Sequence, residues 1–136
     1  PPRSTLFPYT TLFRSGDILR AQKQELAGAR ILVVGVTYKK DVKDLRKSPP
    51  LKLMTQLRHA HCEVDYFDPI IPFLEFSPFH LRTVELTAEA LAGYDCVVIA
   101  TDHSRVDYQL IRRHARRIFD VRNVYAGCRD EKIYKL

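Results

Sequence analysis

The chain has 136 residues, 46% of them apolar and 28% charged, and its 22 Lys and Arg against 16 Asp and Glu give a formal charge of +6. That length suits one domain with a single core rather than a complete two-substrate enzyme, and no apolar run is long enough to span a bilayer. The positive charge does not by itself signal nucleic acid, because the aromatic residues are not interleaved with the basic ones as base stacking requires.

Residues 1–15 stand apart from the rest. Thr5-Leu6-Phe7-Pro8 and Thr11-Leu12-Phe13-Arg14 form a near-repeat with neither helical nor alternating periodicity, and the basic-then-apolar order of a signal peptide is missing. They look like a translated adapter leader, non-native and expected to be disordered, with the true coding sequence cut upstream of Gly16. Residues 16–28 read as a connecting helix: Asp17 to Ala27 is rich in good helix formers, and Gly28 is placed to stop it.

Arg30 to Val36 reads as a first strand, continuously apolar as a strand covered on both faces should be. A dense loop follows, with five cations and two carboxylates between Lys39 and Lys47. Ser48 is predicted to cap the next helix with Pro49 at its first position, and Leu51, Leu53, Met54 and Leu57 form its buried stripe. Cys62 to Phe67 reads as a second strand, ended by Asp68-Pro69. Ile70 to His80, which holds Pro72 and Pro78, reads as an irregular connection, with a short strand over Arg82 to Glu85.

Thr87 is expected to cap a helix through Leu91, after which Ala92-Gly93 turns the chain into the strand Asp95 to Ala100. The polar loop Thr101 to Ser104, a helix over Val106 to Ala115, the strand Arg117 to Phe119 and the loop Asp120 to Asn123 come next. Residues 125–136 read as a charged C-terminal tail. Strands alternating with helices predict an α/β fold over 29–124, a Rossmann-like three-layer domain with a mostly parallel sheet.

In such a sheet the loops after the strands gather on one edge, which brings together Tyr38, Lys39, Arg46, His103 and Arg122. The local cation surplus points to an anionic ligand, with phosphate the natural guest. Gly35 is followed by Val36, Thr37 and Tyr38, so the loop is neither a GxGxxG fingerprint nor a P-loop, and side chains must hold any phosphate. Arg46 either sends its fork to phosphate or pairs with Asp44, and Arg122 has the same choice with Asp120. No metal site is expected, because His103 lacks partners at ligand spacing and His59 with His61 makes a poor pair. Cys62, Cys96 and Cys128 are odd in number and lack CxxC spacing, as buried or inert thiols of a reduced, cytoplasmic protein would be.

Gly35-Val-Thr-Tyr-Lys-Lys-Asp-Val-Lys-Asp-Leu-Arg-Lys-Ser-Pro49, Glu63-Val-Asp-Tyr-Phe-Asp-Pro69, Tyr94-Asp-Cys-Val-Val-Ile-Ala-Thr-Asp-His103 and Phe119-Asp-Val-Arg-Asn123 stand in register. Together they closely resemble the C-terminal, UDP-binding domain of the UDP-glucose/GDP-mannose dehydrogenase family. The resemblance implies an NAD-dependent oxidation of C6 of a UDP-sugar from alcohol to uronate, through a cysteine that lies upstream of this domain. It implies no catalytic residue within this chain, which would be a truncated fragment lacking the NAD-binding and central dimerising domains of a homo-oligomeric enzyme.

On the same resemblance Tyr38 and Lys39 contact the sugar nucleotide, Arg122 holds its nucleotide portion, and Arg46 reaches NAD bound by the other domain. The Tyr-Lys-Lys-Asp loop with Thr-Asp-His is most similar to the bacterial branch acting on UDP-N-acetylhexosamines, with UDP-glucose the nearest competitor. Lys47 stands where relatives are commonly acidic and His61 where a turn glycine is usual, so strain is expected at His61 if its φ is positive. A second reading, of another class, is a stand-alone nucleotide-binding or regulatory module acting through a partner.

Overall fold

The structure is a computed structural model that describes residues 16–20 and 24–135; the leader assigned to residues 1–15 lies outside the described residues. Its elements are β1 (Arg30–Val34), α1 (Pro49–His59), β2 (Glu63–Phe67), β3 (Phe73–Phe76), β4 (Phe79–Arg82), α2 (Ala88–Ala92), β5 (Cys96–Ile99), α3 (Tyr108–His114), β6 (Ile118–Asp120) and β7 (Ile133–Lys135). Five strands form one sheet in the order β2-β1-β5-β6-β7, and every pairing in it is parallel.

Alternation along β1 splits the core into two layers. Ile31 and Val33 join Leu51, Leu53, Met54 and Leu57 of α1 and Cys96 and Val98 of β5 on one face. Leu32 and Val34 join Leu91 of α2, Ile111 of α3 and Val97 and Ile99 of β5 on the other. Both faces of β1 and β5 are therefore covered, which is why these strands read as unbroken apolar runs. The four fully buried aliphatic side chains of α1 contribute about 1.5–3 kcal/mol each, far more than the helix's own propensity could.

Local chemistry shifts several boundaries. Residues 16–20 are helical, but residues 24 and 25 are not, so the helix expected to reach Ala27 ends sooner. There the chain turns to dock on the α1–β2 corner: the Gly28 N–H donates to the His61 carbonyl at 2.8 Å, and Gly28 takes φ +82°. Asp107 caps α3 by accepting from the Leu110 N–H, so the helix starts at Tyr108, two residues later than the apolar pattern from Val106 predicts. Thr87 caps α2 as expected, accepting from the Ala90 N–H at 3.0 Å.

Ser48 occupies the N-cap position of α1 without capping it. Pro50 removes the N2 N–H that a cap would serve, and the Ser48 hydroxyl donates instead to the Val36 carbonyl at 2.6 Å. The helix start is thus stitched to the end of β1.

The stretch expected to be irregular contains an antiparallel hairpin, in which Phe73 pairs with Arg82 and Phe76 with Phe79. Pro78 lies in the two-residue turn and Pro72 just before β3, so neither interrupts the ladder, and the prolines bound the hairpin rather than abolish it. Leu74 and Phe79 are buried while Phe73 and Phe76 are exposed. At the other end, Ile133–Lys135 of the charged tail forms the edge strand β7 beside β6.

His61 does adopt a left-handed conformation, φ 68°, in the α1–β2 turn. A side chain there costs about 1–2 kcal/mol, offset in part by the extra freedom glycine brings to the unfolded chain. His61→Gly is expected to raise unfolding stability by about 0.5–1 kcal/mol. Chemical denaturation checks this, and an unchanged or lowered midpoint refutes it.

Candidate functional site

The strand order reverses between β1 and β5, where the chain runs outward to β2 on one side and to β6 on the other. The crevice beyond the C-terminal ends of those two strands is where open α/β sheets bind ligands. Gly35 leaves β1 with φ +85°, and a Cβ built on it would meet the Thr101 carbonyl oxygen at 2.4 Å. The two switch-point loops thus touch through backbone that only glycine allows. Thr101 Oγ1 donates to the Thr37 carbonyl at 2.7 Å and reinforces that contact.

Beneath the cationic loop lies a buried polar cluster. The Asp68 carboxylate accepts the backbone N–H groups of Val36 at 2.8 Å and Ile70 at 2.9 Å. The same carboxylate lies 3.0 Å from His103 Nε2, which is also 3.1 Å from Thr37 Oγ1, while His103 Nδ1 accepts from the Asp41 N–H at 2.8 Å. Thr37, Asp68 and His103 are all essentially inaccessible to solvent. Asp41 in turn accepts from the Ser104 hydroxyl at 2.6 Å and the Ser104 N–H at 2.8 Å. These two bonds hold its carboxyl below the usual carboxylate range.

On this base stand the residues singled out in the sequence. Tyr38 is 40% exposed and Lys39 is exposed, at the crest of the loop. The Tyr38 N–H donates to the Asp44 carbonyl at 3.2 Å, tying the two limbs of the loop together. Arg122 sends Nε to the Ala100 carbonyl at 2.9 Å, which anchors its guanidinium at the end of β5. Both oxygens of Asp120 accept backbone N–H groups, from Val124 at 3.0 Å and Tyr125 at 2.9 Å. Tyr38 and Lys39 therefore stand on the loop leaving β1 and Arg122 on the loop leaving β6, linked across the end of β5 through Ala100, Thr101 and Thr37.

Arg46 lies on the outer limb, 89% exposed, with its fork on Asp44 at 3.0 and 3.1 Å. That pairing lowers the Asp44 carboxyl and raises the arginine, each stabilised in its charged form by the other. At such exposure the pair is worth little and can exchange partners readily.

The switch point does not fit a dinucleotide pyrophosphate cradle. Gly35 is sealed by Thr101, and the Val36 N–H is spent on Asp68 and not offered to a phosphate. Any phosphate here is left to side chains. Cys62 and Cys96 are equally unsuited to nucleophilic work: burial pushes Cys62 up to about 11 and Cys96 up to about 12. No group of three potential metal ligands occurs among the described residues, and no helix there is long and apolar enough to cross a membrane.

The sequence placed Tyr38, Lys39, Arg46, His103 and Arg122 on one edge; the structure puts Tyr38, Lys39, His103 and Arg122 on the loops at that edge, with Arg46 on the outer limb paired with Asp44. What sequence reasoning missed is Asp68, which it took only as the end of β2. An acidic residue followed by proline at a strand end is a common chain stop, and nothing local reveals that its carboxylate turns inward.

A parallel sheet with a cationic, side-chain-lined switch point defines an α/β domain suited to an anionic ligand. A family model for the UDP binding domain of the UDP-glucose/GDP-mannose dehydrogenase family matches residues 32–127, and the chain belongs to that family. A UDP-N-acetyl-D-mannosamine dehydrogenase from Pyrococcus horikoshii is 33% identical over 101 residues, which cover 71% of this chain and 22% of that protein. A UDP-glucose 6-dehydrogenase from Rickettsia prowazekii is 32% identical over 112 residues, covering 74% of this chain and 25% of that protein.

Among solved structures, the UDP-D-ManNAc dehydrogenase from P. horikoshii aligns over 98% of this chain and 30% of its own, at 28% identity and TM-score 0.71. The UDP-N-acetyl-mannosamine dehydrogenase from Staphylococcus aureus aligns over 96% and 31%, at 26% identity and TM-score 0.70. The chain spans between 16% and 25% of the length of the curated relatives it matches.

Proposed function

We propose that this UDP-binding domain supplies the nucleotide half of the active site of an NAD-dependent UDP-sugar 6-dehydrogenase, which oxidises the C6 alcohol to a uronate in two steps. Tyr38 and Lys39 contact the sugar nucleotide, Arg122 holds its nucleotide portion, and Arg46 turns from Asp44 toward NAD held by another domain. The observation that carries the reading is the exposed Tyr38–Lys39 crest and the Ala100-anchored Arg122 at one switch point whose Val36 amide is already spent. Such a site neutralises a diphosphate with side chains alone.

The nucleophile comes from elsewhere in the enzyme, in keeping with the burial and raised thiols of Cys62 and Cys96. UDP-N-acetylhexosamines are the favoured substrates, with UDP-glucose second, in keeping with relatives that carry both names. Three free cysteines accord with a reducing, cytoplasmic setting. The full enzyme is a homo-oligomer built around the NAD-binding and central domains.

Reading the genomic locus upstream of Gly16 and expressing the longer frame tests this. NADH is expected to form with a UDP-sugar, two equivalents per sugar, and none is expected from the present chain alone. A longer protein that binds UDP but forms no NADH with UDP-N-acetylhexosamines or UDP-glucose would favour a stand-alone nucleotide-binding or regulatory module.

A further inference from the structure

His103 is a fully buried histidine whose ring meets both ends of one short segment. Thr37 precedes Tyr38 and touches Nε2 through Oγ1 at 3.1 Å; Asp41 follows Lys40 and donates its N–H to Nδ1 at 2.8 Å. Because Nδ1 accepts, the ring proton sits on Nε2, where it faces Asp68 Oδ2 at 3.0 Å. The Thr37 hydroxyl hydrogen is used elsewhere, donated to the Lys39 carbonyl at 2.8 Å, so its oxygen is left to accept from the ring.

The ring is itself held from behind. Asp68 is fixed by the Val36 and Ile70 N–H groups, and the His103 carbonyl accepts from Tyr108 Oη at 2.7 Å. Tyr108 is buried enough that its phenol stays protonated well above its usual range, and its carbonyl accepts from Tyr125 Oη at 2.7 Å. Tyr125 in turn donates its N–H to Asp120, at the start of the Arg122 loop. One hydrogen-bonded chain therefore links the three loops of the site.

We infer that His103 is a positioning residue for nucleotide binding: by pinning Thr37 and Asp41 to Asp68, its ring fixes the Tyr38–Lys39 crest in the shape that meets the ligand. The inference rests on the nucleotide reading above. Its benefit is preorganisation, because a lysine on a loop already shaped for phosphate loses less freedom on binding.

Two substitutions separate the ring's two contacts. The carbonyl of asparagine falls near Nδ1 and keeps an acceptor for Asp41, whereas the amide of glutamine falls near Nε2 and keeps a donor for Asp68. With UDP as the probe and the full chain in the calorimeter, His103→Gln is expected to weaken binding about tenfold and His103→Asn by less than about threefold. Amide exchange at Asp41 should quicken in His103→Gln and stay slow in His103→Asn.

A folded His103→Asn that loses slow Asp41 exchange yet keeps its UDP affinity overturns the inference, even if His103→Gln does not fold. So does a His103→Gln protein that binds as tightly as the unaltered chain. Absence of UDP binding by the unaltered chain fails the nucleotide reading instead, and the exchange at Asp41 still decides whether His103 pins the loop.

Discussion

Gly35→Ala is expected to cost about 2–5 kcal/mol of unfolding stability. Two terms add: a left-handed conformation costs an alanine about 1–2 kcal/mol, and overpacking a buried contact about 1–3 kcal/mol. The second applies because the new Cβ would lie 2.4 Å from the Thr101 carbonyl oxygen and 2.6 Å from its Cβ. Thr101 has little room to yield, since its N–H donates to Val34 and its hydroxyl to Thr37. Gly28 is the matched control, with φ +82° and open space around its Cβ position, so Gly28→Ala should lose only about 1 kcal/mol. Urea unfolding compares the two, and equal losses would show that loop contact at the switch point is not what Gly35 secures.

Lys39→Ala is expected to weaken UDP binding roughly ten- to hundredfold, the loss of a charge-assisted bond to phosphate. Arg46→Ala should leave UDP affinity unchanged, because Arg46 is assigned to the cofactor and already has Asp44 for a partner. The contrast separates a specific role from bulk charge, since each substitution removes one positive charge from the same loop. Equal weakening by both would mean that the loop acts only as a cationic surface.

Much of the frame was legible because the physics was local. The unbroken apolar runs of β1 and β5 announce strands covered on both sides, and the spacing of Leu51, Leu53, Met54 and Leu57 announces a buried helix face. The hairpin was hidden by its prolines, which signal irregularity in a sequence yet sit where the ladder needs no N–H. β7 was hidden by its charged surroundings, and its strand character comes from pairing with β6 rather than from alternation.

Within the candidate site, the positions of Tyr38, Lys39 and Arg122 were legible from their places after strands. Asp68 and the double task of His103 were not, because buried hydrogen bonds between residues 35 apart leave no local pattern. Ser48 shows the reverse case. Its position and neighbours mark a cap, but with Pro50 offering no N–H its hydroxyl serves the Val36 carbonyl instead.

The central claim is that side chains at this switch point bind the diphosphate of a UDP-sugar. Calorimetric titration of the full chain with UDP, and with uridine as the phosphate-free control, tests it most directly. The account predicts saturable UDP binding that weakens as salt rises, with no detectable uridine binding, because the cations rather than the base supply most of the affinity. A folded chain that takes up neither ligand, or that binds uridine as well as UDP, would contradict it.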